Sequence, residues 1–224
     1  MKILIATDGS ESARLAQLNL TRAGLPDILD ATILSVADVW LPPSGEGSTN
    51  LPEAWTQAVM HAKSQAEAAV DHARKIAIDD AENLKRLHPN WNIKAEATAD
   101  SPGWAIITNA EQSRADLVVV GSHSSSGFGK LFLGSVSQKV VTHSQGAVRV
   151  GRSSLDPDRK AVHLIIGVDG SPGSIAALDT VKSRNWPDHT EVLLIGVIDT
   201  RIATAAISDL PEIANWAQSS NQNE

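Results

Sequence analysis

The sequence contains no cysteine, which excludes disulfide bonds, thiolate zinc sites and thiol catalysis. It also lacks an excess of positive charge: the formal net charge is −7, which speaks against a sequence-independent binder of nucleic acid. No apolar run approaches the ~20 residues that a membrane-spanning helix needs. The first predicted strand, residues 2–7, is not preceded by a basic and then apolar leader. We therefore expect a cytoplasmic globular protein, with neither nucleic acid nor a membrane as partner.

Part of the sequence is repeated. Residues 2–38 align without a gap to residues 163–199, so that Asp8-Gly9-Ser10 coincides with Asp169-Gly170-Ser171. Each copy predicts an apolar strand, a D-G-S turn, an amphipathic helix and a second apolar strand. Such a match indicates duplication of one strand–helix–strand beginning.

The second copy is too short to be a whole unit. Residues 1–152 are expected to form one domain, residues 153–160 a linker, and residues 161–224 a truncated second copy with a tail. A strand–helix–strand piece cannot cover both faces of its own sheet. The sequence therefore predicts a homodimer, or docking of the second copy on the first domain.

Strand and helix patterns alternate through the first copy, which is typical of a parallel α/β sheet. The helix pattern of residues 53–87 is either one long helix or two helices broken near Asp79-Asp80. Ser101 is placed to cap the next helix, with Pro102 in its first turn; Trp104 and Trp55 are expected in the core. The predicted strands are Ile3–Ala6, Thr32–Val36, Ile93–Ala99, Leu117–Val120 and Ala147–Val150. The predicted fold is an open, doubly wound, Rossmann-like sheet of five parallel strands, followed by a partial βαβ repeat.

A strand that ends in a glycine-rich loop gives the strongest functional signal. The apolar run Leu117–Val120 stops at Gly121, a Gly/Ser loop follows, and Gly134-Ser135 begins a helical pattern. Glycines permit close approach to a ligand, and the helix presents its positive N-terminus. The arrangement predicts an anion site suited to a nucleotide phosphate.

The D-G-S turn, the stretch ADLVVVGSH and the helix start GSVSQKV resemble the universal stress protein family. The resemblance covers residues 1–152 and, as a broken copy, residues 161–200. It implies the fold of adenine nucleotide α hydrolases and a G-x2-G-x9-G-S/T loop that holds the phosphates of ATP. The positions that match this loop are Gly121, Ser124, Gly134 and Ser135. The resemblance further implies that Asp8 lies near the ribose and Val36 beside the adenine.

Serine replaces the second glycine of that loop pattern at position 124. If the position requires a positive φ, serine costs about 1 kcal/mol, a loss of under about tenfold in affinity. If the Ser124 Cβ instead meets a phosphate oxygen, the site is closed to a triphosphate. A hydroxyl that donates to phosphate would partly compensate.

Each candidate residue also has a purely structural interpretation. Asp8 and Asp169 could cap helices through their D-G-S turns, and for Asp169 we expect only that role, since no phosphate loop follows it. Ser135 could be a helix N-cap, and Val36 a core residue. His123 is expected to be a solvated loop residue. Any Mg²⁺ would be held mainly by the nucleotide's phosphates and water.

No catalytic residue is predicted. The sequence has neither a Walker motif nor a G-x-S-x-G elbow, and the family resemblance is compatible with at most slow ATP hydrolysis. Two functions remain. The first is a nucleotide-responsive regulator of the stress response that binds ATP. The second is an interaction module in which the loop is vestigial and function lies in dimerisation or partner docking.

Overall fold

The computed structural model describes residues 1–39, 53–122, 133–152 and 161–197. Predictions for Ser124, His123, the Trp55 side chain, the linker 153–160 and the tail after residue 197 lie outside the described residues. The described chain falls into two compact units. The first is formed by the residues up to 152 together with Asn185–Pro187, and the second by residues 161–184 and 188–197.

The first unit contains a sheet of five parallel strands, which confirms the predicted fold class. The strands are β1 (Lys2–Thr7), β2 (Asp30–Ala37), β3 (Asn92–Ala99), β4 (Leu117–Gly121) and β5 (Ala147–Gly151). Their order is β3-β2-β1-β4-β5. The chain therefore winds outwards from β1 in both directions, and the carboxyl ends of β1 and β4 lie side by side. In sheets of this kind, ligands bind at that place.

Helices cover both faces of the sheet because successive strand residues point to opposite sides. The helices are α1 (Glu11–Leu18), α2 (Glu53–Leu87), α3 (Pro102–Ser113) and α4 (Ser135–His143), and a 3-10 turn (Asn19–Arg22) follows α1. Ile3 and Ile5 of β1 share a buried cluster with Leu84 of α2. Leu4, between them, packs in a second cluster with Ile106 of α3 and Val140 of α4.

Helix α2 is one continuous helix of 35 residues, so the alternative of a break near Asp79-Asp80 is wrong. Its apolar stripe includes Ala73, Ala77 and Leu84, all buried against the sheet. Asp80 lies within the same stripe and is also buried. None of the described helices is long and apolar enough to cross a membrane.

The second unit has the same order of elements as the beginning of the first. It consists of β6 (His163–Val168), α5 (Pro172–Lys182) and β7 (Glu191–Gly196), and β6 pairs in parallel with β7. All six residues of β7 are exposed. Ile166 is the one buried apolar side chain in the described part of this unit. The strand–helix–strand order agrees with the expected partial repeat.

Two local predictions are wrong, and a third is confirmed. Trp104 was expected in the core, but 47% of its surface is exposed. Its ring lies against α4, with Lys139 Nζ 5.4 Å from the ring centroid and His143 packed beside it. The predicted start of α3 is confirmed: Ser101 is its N-cap and Pro102 lies in its first turn, although the Ser101 side chain makes no capping hydrogen bond. The N-cap of α4 is Gly134, so Ser135 is the first helical residue rather than the cap.

Candidate functional site

A cavity of about 380 Å³ lies at the carboxyl ends of the central strands. The predicted site residues lie far apart in the sequence, and the fold brings all the described ones to its walls. They are Asp8, Val36, Gly121, Gly134 and Ser135. Ser124 lies outside the described residues, so its place relative to the cavity is not assigned.

The turn between β1 and α1 presents Asp8 to the cavity. The Ser10 N–H donates to Asp8 Oδ1 at 3.0 Å, and the Ala13 N–H donates to Ser10 Oγ at 3.2 Å. Ser10, not Asp8, is therefore the N-cap of α1. Gly9 between them has a φ of +73°, a conformation that favours glycine. The capping interpretation of Asp8 is thus wrong in detail, because its carboxyl group closes the turn before the helix.

The segment before α4 is held against the end of β4. Ser137 Oγ donates to the Gly121 carbonyl at 2.5 Å, and the Gly134 N–H donates to the Ser122 carbonyl at 2.8 Å. These bonds place the first turn of α4 at the cavity wall. The unpaired N–H groups and dipole of a helix N-terminus favour anions.

Gly121 has a packing reason to be glycine. A Cβ at this position would lie 2.8 Å from Ser12 Oγ, closer than real Cβ contacts, and a tight 3.0 Å from the Ala13 nitrogen. The absence of a side chain lets α1 approach the end of β4. Gly121 therefore shapes the cavity by admitting α1.

One wall of the cavity is apolar. It is formed by Leu34, Val36, Ile106, Val120 and Val136, with Pro102 at the start of α3. Val36 is partly buried, packs against the second buried cluster and also lines the cavity. Polar groups occupy the rest of the edge: Asp8, Ser10, Asp38 and Ser135. A concave site with an apolar wall and a few convergent polar groups suits a small organic ligand.

The strand order sets the electrostatic layout of this edge. Asp38 follows β2, Asp8 follows β1, and the N-terminus of α4 lies beyond β4. Acidic groups therefore stand towards the β2 end of the cavity, and the anion-attracting helix terminus stands towards the β4 end. The described residues contain no group of three or more His, Asp or Glu side chains that could hold a metal ion.

Sequence reasoning missed most of the cavity lining, and three of the missed residues are instructive. Asp38 could have been predicted from the sequence, because it follows Val36 by two residues at the end of the same strand. Ser137 is a buried hydroxyl in the first turn of α4, and its bond to Gly121 was not foreseeable from spacing. Ile106 reaches the cavity from α3, and nothing in its helical spacing distinguishes a cavity residue from a core residue.

Comparison with known proteins identifies the family. The model of the universal stress protein family matches residues 1–150. The chain belongs to the universal stress protein family. A universal stress protein of Mycolicibacterium smegmatis is 26% identical over 215 residues, covering 87% of this chain and 67% of the relative. A universal stress protein of Methanocaldococcus jannaschii is 26% identical over 156 residues, covering 66% of this chain and 80% of the relative.

A solved universal stress protein from Archaeoglobus fulgidus shares the fold. It has a TM-score of 0.60 at 19% identity, over 96% of this chain and 74% of that one. This match, like that to the mycobacterial relative, extends beyond the residues that the family model covers. Both alignments therefore include part of the chain beyond residue 150.

Proposed function

We propose that this universal stress protein binds ATP or a related adenine nucleotide, and that occupancy of the site regulates a stress response. The observation that carries the proposal is the convergence of five separate motif residues on one cavity. These are Asp8, Val36, Gly121, Gly134 and Ser135. A cavity of about 380 Å³ falls within the range of roughly 300–1,000 Å³ that small-ligand pockets occupy.

The layout of the edge supports one orientation of the nucleotide. The adenine would lie on the apolar wall beside Val36, and the ribose hydroxyls would face the Asp8 carboxyl group, which can accept hydrogen bonds. The phosphates would lie at the N-terminus of α4, near Gly134 and Ser135, with the loop that carries Ser124. Negative phosphates are thereby kept from Asp38 at the other end of the cavity.

Mg²⁺ would enter with the nucleotide. The described residues include no three-ligand acidic or histidine group, so phosphates and water would supply most of its coordination. We assign no catalytic residue, and the proposed role is binding. The chain's own residues would bind and orient the nucleotide.

Ser135→Asp tests the proposal. Ser135 is exposed at the first position of α4, where an acidic residue favours the helix by about 0.3–1 kcal/mol. The variant is therefore expected to fold at least as stably as the wild type. A carboxylate placed among the phosphates should nevertheless weaken Mg·ATP binding by about tenfold or more, since 1.4 kcal/mol of repulsion is enough.

Calorimetric titration with Mg·ATP measures this effect, with Ser135→Asn as the neutral control of the same size. Weak binding by the aspartate variant and near-normal binding by the asparagine variant would support the proposal. Absence of both heat and thermal stabilisation of the wild type at millimolar Mg·ATP would refute it.

The exposed strands of the second unit favour a second candidate function, an interaction module that works by self-association. Leu193 and Leu194 of β7 are 56% and 54% exposed, and Ile165 of β6 is 69% exposed. Apolar patches of this kind mark association surfaces. Light scattering across a range of protein concentrations tests this candidate, and a monomer at every concentration would reject it.

A further inference from the structure

A buried carboxyl group lies behind the proposed site without lining it. Asp80, from α2, is only 5% exposed. The ion pairs among the described residues join Arg74 to Asp71 and His163 to Glu191, and neither includes Asp80. Buried carboxyl groups are rare unless other groups satisfy them. Asp80 therefore needs an explanation that the core alone does not give.

Neutral donors from two other elements satisfy this carboxyl group. Thr7 Oγ1, at the end of β1, donates to Asp80 Oδ2 at 2.5 Å, and Gln17 Nε2, from α1, donates to the same oxygen at 2.8 Å. Both donors are buried, with exposures of 6% and 3%. One carboxyl oxygen thus joins α2, β1 and α1.

The Thr7 branch of this network leads to the site. The Gly9 N–H donates to Thr7 Oγ1 at 3.1 Å, so the Thr7 hydroxyl links Asp80 to the turn that presents Asp8. Helix α2 also touches this turn directly, because a Cβ on Gly9 would lie 3.3 Å from Ile76 Cγ2. The Gln17 branch ends in α1 and does not reach the turn.

The second copy shows what the turn does without this network. Val168 and Leu178 stand at the positions of Thr7 and Gln17, so both donors are absent. The turn still forms: the Ser171 N–H donates to Asp169 Oδ1 at 2.9 Å, and Gly170 has a φ of +77°. A Cβ on Gly170 would meet nothing within 4 Å. Local hydrogen bonds are therefore enough to close the D-G-S turn. The bonds from Thr7 and Gln17 to Asp80 in the first copy are not needed for closure and must have another role.

We propose that Asp80 is a positioning residue for the proposed nucleotide site. Through Thr7 it holds the β1–α1 turn against α2 and so sets where Asp8 stands in the cavity. This inference rests on the proposed function and deepens it. Asp80 itself does not contact the ligand, since it is absent from the cavity walls. The polar donors occur in the copy that carries the phosphate loop and are replaced by apolar residues in the copy that lacks one.

Asp80→Ala and Gln17→Leu form a matched pair for the test. Each breaks the Gln17–Asp80 bond and should destabilise the protein, but only the first releases Thr7. Asp80→Ala is expected to weaken Mg·ATP binding about fivefold, the effect of one typical hydrogen bond. Gln17→Leu should bind within about twofold of the wild type. Asp80→Asn should restore binding, because a single amide oxygen can accept both bonds.

Wild-type-like binding by Asp80→Ala would overturn the inference, as would an equal loss of binding in Gln17→Leu. If Asp80→Ala does not fold, Thr7→Val takes its place: Thr7 lines the cavity, but valine has almost the same shape and the Thr7 hydroxyl proton is already donated to Asp80. The expected loss is the same, and unchanged binding would overturn the inference.

Amide hydrogen exchange of the ligand-free protein separates this inference from the proposed function. Asp80→Ala should accelerate exchange of the Gly9 N–H, while the Gly170 N–H of the second copy serves as an internal reference. Equal exchange at Gly9 in variant and wild type would overturn the positioning role. Failure of the wild type to bind Mg·ATP would instead refute the nucleotide proposal on which the role depends.

Discussion

At the scale of single residues, Gly9 and Gly170 have similar backbone conformations but differ in how closely neighbouring atoms approach them. Their φ angles are +73° and +77°, but only Gly9 has a neighbour, Ile76, at the place of an added Cβ. We expect Gly9→Ala to lower the free energy of unfolding of the first unit by about 2 kcal/mol, of which ~1 kcal/mol comes from the positive φ. Urea unfolding measures the loss. Gly170→Ala, in the other unit, should leave that transition unchanged.

A loss of only ~1 kcal/mol in Gly9→Ala would mean that the left-handed conformation accounts for everything. The contact with Ile76 would then contribute nothing to the stability of the turn.

His88 makes the stability of the first unit depend on pH. Its ring stacks on Trp91 with the centroids 3.8 Å apart, and its buried Nε2 has no hydrogen-bond partner among the described residues. Burial lowers the pKa of His88 from its ordinary value of 6.5. The unfolded chain therefore takes up this proton at a higher pH than the folded one. The neutral His88 side chain therefore makes its full contribution to stability above about pH 6.5. That contribution is lost as the pH falls through the lower pKa of His88 in the folded protein.

His88→Phe should abolish this part of the pH dependence, because phenylalanine keeps the stacking on Trp91 and has no proton to gain. Urea unfolding at about pH 8 and about pH 5.5, on either side of the ordinary histidine pKa, measures the difference. His72→Ala, at an exposed position of α2, is the control. The explanation fails if both variants keep the wild-type dependence.

Single-residue roles could be predicted only where local chemistry decides them. The D-G-S turn was recognisable because aspartate, a glycine with positive φ and a capping serine act on their own neighbours. The role of Asp80 was not recognisable, since its partners Thr7 and Gln17 are 73 and 63 residues away in the sequence. The prediction for Trp104 is wrong for a related reason: its ring contacts Lys139 and His143 of another helix, which its own local pattern does not reveal.

At the scale of elements, α1 and β5 meet at Gly151 without room for a side chain. A Cβ on Gly151 would overlap Ala16 of α1, and a backbone atom cannot rotate away. Gly151→Ala is expected to destabilise the first unit by about 2–3 kcal/mol through overpacking. Gly146→Ala, at the other end of β5, is the control, because its Cβ would lie 3.6 Å from the Ala115 carbonyl oxygen, an ordinary contact.

Thermal or urea unfolding of the Gly151→Ala and Gly146→Ala variants checks the expectation, and the control should stay within about 0.5 kcal/mol of the wild type. Similar stability of both variants would show that α1 moves aside at little cost.

Element types were predictable because buried parallel strands and amphipathic helices leave clear periodic patterns. The five strands and the long helix α2 follow from that periodicity. The 3-10 turn Asn19–Arg22 was not predicted, since a single turn is too short to leave a pattern. Likewise, the shift of the α4 N-cap from Ser135 to Gly134 depends on the bonds that Gly134 and Ser137 make to the end of β4.

At the scale of the whole molecule, burial differs sharply between the two units. The buried clusters lie in the first unit, whereas Ile166 alone is buried among the described apolar residues of the second. Backbone groups near few buried contacts open with little free energy. We therefore expect β6 and β7 to exchange their amide hydrogens within seconds to minutes, while β1 and β4 stay protected for far longer.

Hydrogen exchange at two protein concentrations checks this expectation. Slow exchange in β7 at low concentration would contradict it. Protection that arises only at high concentration would show that a second copy of the chain covers the strand, as the interaction-module alternative requires.

The bonds that tie α4 to β4 have a consequence for how this fold can diversify. The Gly134–Ser122 and Ser137–Gly121 bonds join the two sides of the segment 123–132 independently of its own residues. Closing a somewhat longer or shorter loop costs little free energy once its ends are held. We therefore expect changes in the length of that segment to leave the first turn of α4 in place. Under the proposed function, changes in the sequence or length of that segment would alter ligand preference while the bonds that hold α4 against β4 stay in place.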